Sequence, residues 1–179
     1  CTMPHGSRIE PGGTMHYSGC MMDDQLVEID TRSFAVTRRF SLAKGKEGPI
    51  SGSGAMAGHD AHAGHPPAAA TGAKPDSASA KPQMDMTQGH GMSMSATCSP
   101  TWAQPSADGR VVYVACNKSD EIIEVNRSSW TISRRIATGR GPYNLAVAPD
   151  GKHMVATLKQ SAGVELYDLT TGRSVARIP

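Results

Sequence analysis

Aromatic side chains are scarce, with Phe, Trp and Tyr making up 4% of the 179 residues. Cationic residues are neither abundant nor grouped: 18 Lys and Arg face 16 Asp and Glu, for a net charge of +2. A nucleic-acid surface needs clustered cations, commonly with rings to stack on, so no nucleic-acid partner is expected. No apolar run approaches the roughly 18 residues that a membrane-spanning helix needs, so no transmembrane segment is expected. The chain opens on Cys1, without an initiator Met, a basic leader or a signal-type apolar stretch. It is therefore expected to start inside a mature protein or a larger gene product. There is no Gly-rich phosphate cradle leading into a helix, no Gly-x-Ser-x-Gly elbow, no His-Glu-x-x-His helix and no Cys-x-x-Cys-His haem attachment. These residues give no positive sign of an enzyme. Nor does any segment keep an apolar stripe of helical period over three turns.

What the sequence does hold is a unit written three times. With Pro4, Pro100 and Pro142 in register, the 38 residues beginning at each align without a gap. Gly13, Gly109 and Gly151 fall at plus 9, in Gly-Gly or Asp-Gly pairs that read as hairpin turns. At plus 26 stand Asp30, Asn126 and Asp168, suited to Asx-type turns. Arg39, Arg135 and Arg177 follow at plus 35, next to the apolar set Phe40, Ile136 and Ile178; we read the three Arg as structural. Each unit divides into four short β-branched segments. In the second they cover about 101–105, 111–116, 121–126 and 131–137, punctuated by Gly, Asp, Asn or Ser.

Four strands per unit and a 42-residue step from Pro100 to Pro142 predict an all-β fold, a β-propeller fragment of about three four-stranded antiparallel blades. The segment Pro142-Tyr143-Asn144-Leu145-Ala146-Val147-Ala148-Pro149-Asp150-Gly151-Lys152 resembles the repeat start of YVTN-type β-propellers. Val112-Tyr113-Val114-Ala115-Cys116-Asn117, followed by Ile122-Ile123-Glu124-Val125-Asn126, is similar to the same family. The resemblance covers all three units and implies the fold, whereas such propellers serve as scaffolds, binding modules and parts of redox enzymes alike. The first unit departs from the pattern at Pro11-Gly12-Gly13, where Asp is usual, and at Cys20-Met21-Met22. Three blades cannot close a ring of the usual four to eight. Truncation of a longer protein is the preferred expectation, with closure by oligomerisation as the alternative. The expected organisation is a blade over 1–42, an insertion over 43–99, and blades over 100–141 and 142–179.

The insertion has its own chemistry. Residues 51–97 contain no Leu, Ile, Val, Phe, Trp or Tyr, so this low-complexity segment is expected to be a flexible, disordered inter-blade loop. Yet it carries His59, His62, His65 and His90 with Met56, Met84, Met86, Met92 and Met94: nine His and Met in 47 residues, against eight in the other 132. Aliphatic residues are excluded while Met is enriched, so hydrophobicity does not account for the Met. Thioethers are soft neutral ligands that suit Cu(I), and imidazole suits either copper state. The clusters His59 to His65, Met84-Asp85-Met86 and His90-Gly91-Met92-Ser93-Met94 resemble the Met/His-rich segments of bacterial periplasmic copper-resistance proteins. The plainer alternative is a low-complexity linker that enriched both residues without selection. Zinc or nickel could use the His alone; the Met point to copper.

Cys1, Cys20, Cys98 and Cys116 complete the inventory, and four thiols allow three pairings. Cys20 and Cys116 share position plus 16, and folding the first hairpin about Gly12-Gly13 brings His5 opposite Cys20. Two readings stand. Cys1 with Cys20 and Cys98 with Cys116 could form one disulfide per blade, or His5, Cys20 and Met21 or Met22 could form a small copper site. Asp23 and Asp24 read as a solvated acidic pair. The functional expectation is an exported, periplasmic or secreted bacterial propeller that binds copper for sequestration, delivery or resistance. Its partners would be the metal ion and another exported protein. The alternatives are a fragment of a propeller oxidoreductase whose cofactor site needs further blades, and a protein-interaction scaffold with an inert spacer.

Overall fold

The computed structural model describes residues 1–51 and 96–179. Among these the chain forms only strands, turns and loops. The first repeat supplies β1 (Pro4–Ile9), β2 (Met15–Cys20), β3 (Gln25–Asp30) and β4 (Val36–Ser41), followed by a two-residue strand β5 (Gly48–Pro49). The second supplies β6 (Pro100–Pro105), β7 (Val111–Cys116), β8 (Glu121–Asn126) and β9 (Thr131–Ala137). The third supplies β10 (Pro142–Val147), β11 (His153–Leu158), β12 (Gly163–Asp168) and β13 (Arg173–Ile178). Each repeat is an up-and-down antiparallel meander, and the strand bounds of the second lie within a residue of those its sequence predicts. β5 extends the first sheet beyond β4, and β1 meets β6 through one parallel pair, Gly6 opposite Trp102. That approach requires glycine, because a Cβ on Gly6 would collide with the Trp102 ring.

Backbone conformation repeats as strictly as sequence. Left-handed φ recurs at four positions of every repeat. Met3, Ser99 and Gly141 precede the aligned prolines at 53°, 52° and 70°. Gly13, Gly109 and Gly151 close the first hairpins at 75°, 70° and 66°. Asp24, Asp120 and Ala162 stand at 49°, 54° and 44°, and Phe34, Trp130 and Gly172 at 56°, 54° and 68°. Each non-glycine residue there costs about 1–2 kcal/mol, so the turns hold their geometry against local preference. The plus-26 side chains act as predicted: Asp30, Asn126 and Asp168 each accept backbone N–H bonds from the residues two and three ahead.

The sheets pack face on face, which explains the strand sequences. One core joins Tyr17, Leu26, Phe40 and Leu42 of the first sheet to Val112, Val114, Ile123, Val125 and Trp130 of the second. Another joins Tyr113, Ala115, Ile122 and Ile136 of the second to Leu145, Met154, Ala156 and Tyr167 of the third. Side chains alternate across a strand. With both faces of the second sheet covered, β7 reads Val-Val-Tyr-Val-Ala-Cys and is apolar throughout.

The faces also bury charge. Glu28, 3% exposed, accepts from the Tyr17 hydroxyl at 2.6 Å and from the Arg38 guanidinium at 2.6 and 2.8 Å. Glu124 takes Ser133 and Arg134 in the same way in the second sheet. Between the two sheets Arg127 reaches Glu10 at 2.8 Å. Burial alone would raise the carboxyl pKa of Glu28, but the hydrogen bonds from Arg38, Tyr17 and Thr37 and the Arg38 charge outweigh it and leave it lowered.

Candidate functional site

The ends of the insertion are built into the sheets. Residues 43–51 do not leave the fold: Phe40 pairs with Pro49, Ser41 pairs with Gly48, and Glu47 reaches Arg135 of β9 at 2.6 Å. On the return side, the Asp24 carboxylate accepts the Thr97 hydroxyl and three successive backbone N–H groups, from Thr97, Cys98 and Ser99, at 2.5–3.2 Å. The carbonyl of Asp24 takes the Leu42 N–H at 2.7 Å, and the Lys44 N–H donates to Thr97 Oγ1 at 2.8 Å. One residue thus gathers the departing and returning chain. Asp24 is 3% exposed, so the solvated acidic pair expected from sequence is corrected at this position. Asp23 alone faces outward, accepting the Thr2 N–H at 2.6 Å.

The repeat alignment could have revealed this clamp. Asp120 occupies the same position in the second repeat and takes Gly141 N–H at 2.7 Å, just ahead of the third. Its carbonyl accepts from Thr138 as that of Asp24 does from Leu42. At this position the left-handed turn aims a short acidic side chain at the start of the next repeat.

Beside the clamp lie the cysteines. Cys1 is bonded to Cys20 and Cys98 to Cys116, with Cα separations of 5.2 and 4.5 Å, and no cysteine is free. Each bond ties the chain entering a repeat to the end of its second strand. A disulfide sulfur is not a thiolate ligand, so Cys20, fully buried, does not serve the His5–Cys20–Met21 metal site that the sequence offered as an alternative.

His5 is committed as well. Its Nδ1 lies 2.7 Å from the Thr101 carbonyl oxygen, which can only accept, so Nδ1 carries the proton. In the neutral ring Nε2 is then the acceptor for the Tyr143 hydroxyl at 3.0 Å. His5, Thr101 and Tyr143 all stand at plus 1, so this chain of hydrogen bonds stitches the first strands of the three sheets together. Thr101 extends it by donating to the Tyr143 carbonyl at 2.9 Å. Met21 sits in the turn after β2, its N–H held by the Met3 carbonyl at 3.1 Å, and Met3 and Met22 are about half exposed. Among the described residues no three of His, Cys, Asp or Glu converge as a metal-holding group. His59, His62, His65, Met84, Met86, His90, Met92 and Met94 lie outside the described residues.

The grooves between sheets offer little chemistry. The one at the first junction is lined by Arg38, Arg110 and Arg127. Glu28, Asp108 and Glu10 pair with them, so it holds no surplus charge to recruit an anion. The repeated Arg39, Arg135 and Arg177 bond across neighbouring strands and turns, as a structural role requires.

These residues define an all-β protein of three successive antiparallel meanders, the first two joined through β1 and β6 into one nine-stranded sheet and the third forming a second sheet of four strands, with a disulfide in each of the first two. No helix among the described residues is long and apolar enough to cross a membrane. No protein-family profile matches the chain, and no curated protein matches it. Among solved structures the chain is similar to hydrazine synthase of Kuenenia stuttgartiensis, with a TM-score of 0.62 and 18% identity. The match covers 97% of this chain and 36% of that one, so the chain spans about a third of that protein's length. At this identity the likeness is one of fold.

Proposed function

We propose that the chain is part of an exported bacterial β-propeller of the YVTN type that binds copper through the His and Met of its insertion, for sequestration, delivery or resistance. The observation that carries this reading is the composition of residues 51–97: nine His and Met in a stretch that holds no Leu, Ile, Val, Phe, Trp or Tyr. A spacer needs neither thioethers nor imidazoles, and a core segment would not omit Leu, Ile and Val. Both donor types are neutral and soft enough for Cu(I), and imidazole also serves Cu(II). Two disulfides support export, since such bonds persist in oxidising compartments. Three stacked meanders support the propeller reading.

The disulfides also narrow the chemistry. With every cysteine paired, the donors for copper are the imidazoles and thioethers of the insertion rather than thiolates beside it. Binding should weaken as pH falls below about 6.5, where imidazole protonates, while the thioether share for Cu(I) persists.

The test is an equilibrium titration with Cu(I) and with Cu(II) of the intact chain and of a variant in which the nine His and Met are replaced by Ser. Substitution is preferable to deleting 51–97, because deletion would also remove Thr97 from the Asp24 clamp. The intact chain should bind copper in a stoichiometric phase that the variant lacks. Equal weak binding by both proteins would leave a spacer.

A further inference from the structure

The second junction leaves unspent a hydrogen-bond donor that the first one uses. In the first sheet Tyr17, Glu28 and Arg38 are cross-strand neighbours, and in the second Tyr113, Glu124 and Arg134 repeat this Tyr–Glu–Arg ladder. Tyr17 gives its hydroxyl proton to Glu28 at 2.6 Å. Glu124 instead spends its oxygens on Ser133 and Arg134, and the Tyr113 proton has no acceptor among the described residues. Tyr113 is only 5% exposed, and a polar group buried that deeply without its partner costs about 1–3 kcal/mol. Burial, and then the Glu124 charge, push its pKa up to about 12, so it remains a hydroxyl at neutral pH.

The hydroxyl opens onto a groove of about 630 Å³, within the size range of small-molecule sites. All of the lining belongs to the second and third repeats, so the groove lies between two neighbouring sheets and not on an outer face. The repeat explains the space. At the first junction Arg127, at plus 27, reaches Glu10, at plus 6, and its guanidinium lies 5.4 Å from the Tyr17 ring centroid. At the second junction those two positions hold Leu169 and Ser106, and that ion pair is missing.

The groove selects against charge. Three carboxylates and two guanidiniums border it, and each carboxylate is engaged: Glu124 by Arg134, Asp108 by Arg110 and Ser106, Asp150 by His153. An anion would meet the carboxylates and a cation the guanidiniums. What stays unspent is neutral donor capacity beside spare carboxylate lone pairs. Asn126 uses its Oδ1 for the Asx turn, on the N–H groups of Ser128 and Ser129, and leaves its Nδ2 free among the described residues. The turn itself does not need an amide, because Asp30 and Asp168 make it with a carboxylate. Donors and acceptors side by side suit hydroxyl groups, which do both. Ala107, Val111 and Pro149 supply apolar surface for a C–H face between them.

We infer that the groove between the second and third repeats binds a neutral saccharide unit, with Tyr113 and the Asn126 amide donating to its oxygens and Asp108 and Asp150 accepting from its hydroxyls. The groove sits by the Asp108-Gly109 and Asp150-Gly151 hairpins, at the other end of the strands from the Asp24 clamp. It does not rest on the copper reading.

The experiment is an amide NMR titration of the full chain with glucose, galactose and N-acetylglucosamine, repeated on Tyr113→Phe and Asn126→Asp. At least one sugar should shift the amides of Ala107, Tyr113, Asn126 and Gly151. Each variant should weaken that binding about two- to tenfold, the loss of one neutral hydrogen bond. Both should keep or raise the wild-type urea midpoint, since Tyr113 donates to nothing inside the fold and Asp makes the same turn at plus 26. Tyr17→Phe, which breaks the bond to Glu28, should lower it. Three results would overturn the inference: no shift with any of the sugars, shifts of equal affinity in the variants, or shifts from inorganic phosphate in their place. A loss of stability in Tyr113→Phe as large as that in Tyr17→Phe would make the hydroxyl structural and overturn it as well.

Discussion

The two junctions between repeats solve one problem with unequal means. The second and third repeats are joined by Gly139-Arg140-Gly141, and the first and second by everything from 43 to 99. The long junction has the stronger fastenings: four hydrogen bonds to Asp24 against one to Asp120, and the Cys98–Cys116 bond where the returning chain enters its repeat. That disulfide, between residues 18 apart within the second repeat, contributes about 3 kcal/mol. The difference shows that the fold does not set the connection length. What it specifies is an acidic side chain, in a left-handed turn, that catches whatever chain arrives. A segment can then be chosen for its chemistry, because its ends are held elsewhere.

That comparison can be broken most severely at the clamp. Asp24→Ala leaves the buried N–H groups of Cys98 and Ser99, and the N–H of the exposed Thr97, without an acceptor and should cost about 3–5 kcal/mol in urea denaturation, against about 1–2 for Asp120→Ala. Equal losses would mean that the clamp is no stronger at the long junction. Replacing Cys98 and Cys116 together by Ser should cost about 2–4 kcal/mol, and adding reductant to the wild type should reproduce that loss. Amide hydrogen exchange should place the loosening at β6 and β7 and leave β12 protected.

The buried charge between the sheets gives the next effect. The Glu28 carboxyl is held below its ordinary value, so its contribution to stability is complete above the usual carboxylate range. It is lost as pH falls through that range to the folded-state value. Glu28→Gln should cost about 1–3 kcal/mol at pH 7 and make acid denaturation shallower. An unchanged acid profile would remove Glu28 as a source of it. The smallest effect concerns the hairpin glycines. Gly109→Ala and Gly151→Ala should each cost about 1 kcal/mol for the left-handed turn. Gly109 should be the worse, because its added methyl would meet Glu10 and Arg127 at 3.2–3.3 Å, while that of Gly151 would meet Ala107 at 3.5 Å.

Much of the fold was legible because the repeat fixes turns and strands together. The prolines, the plus-9 glycines and the plus-26 Asx residues each mark a place where backbone geometry leaves little choice. The clamp was legible only in part. Asp24 and Asp120 align, but an acidic residue in a turn looks solvated until the chain that crosses over it is known. The Tyr–Glu–Arg ladder aligns equally well in the first two repeats, but the third replaces it with Val155, Leu166 and Ala176, so it is not a signature of the repeat. His5 looked like a metal ligand from its distance to Cys20. Its partners, Thr101 and Tyr143, come from the other two repeats, and no local pattern announces a hydrogen bond spanning 138 residues. The insertion is the reverse case, since its chemistry is written in composition alone.

The most direct test of that chemistry is copper K-edge X-ray absorption on the full chain loaded with one equivalent of Cu(I). The account predicts sulfur scatterers at the metal together with imidazole nitrogen, and their disappearance when the nine His and Met of residues 51–97 become Ser. A first shell of light atoms only, identical in the two proteins, would contradict it.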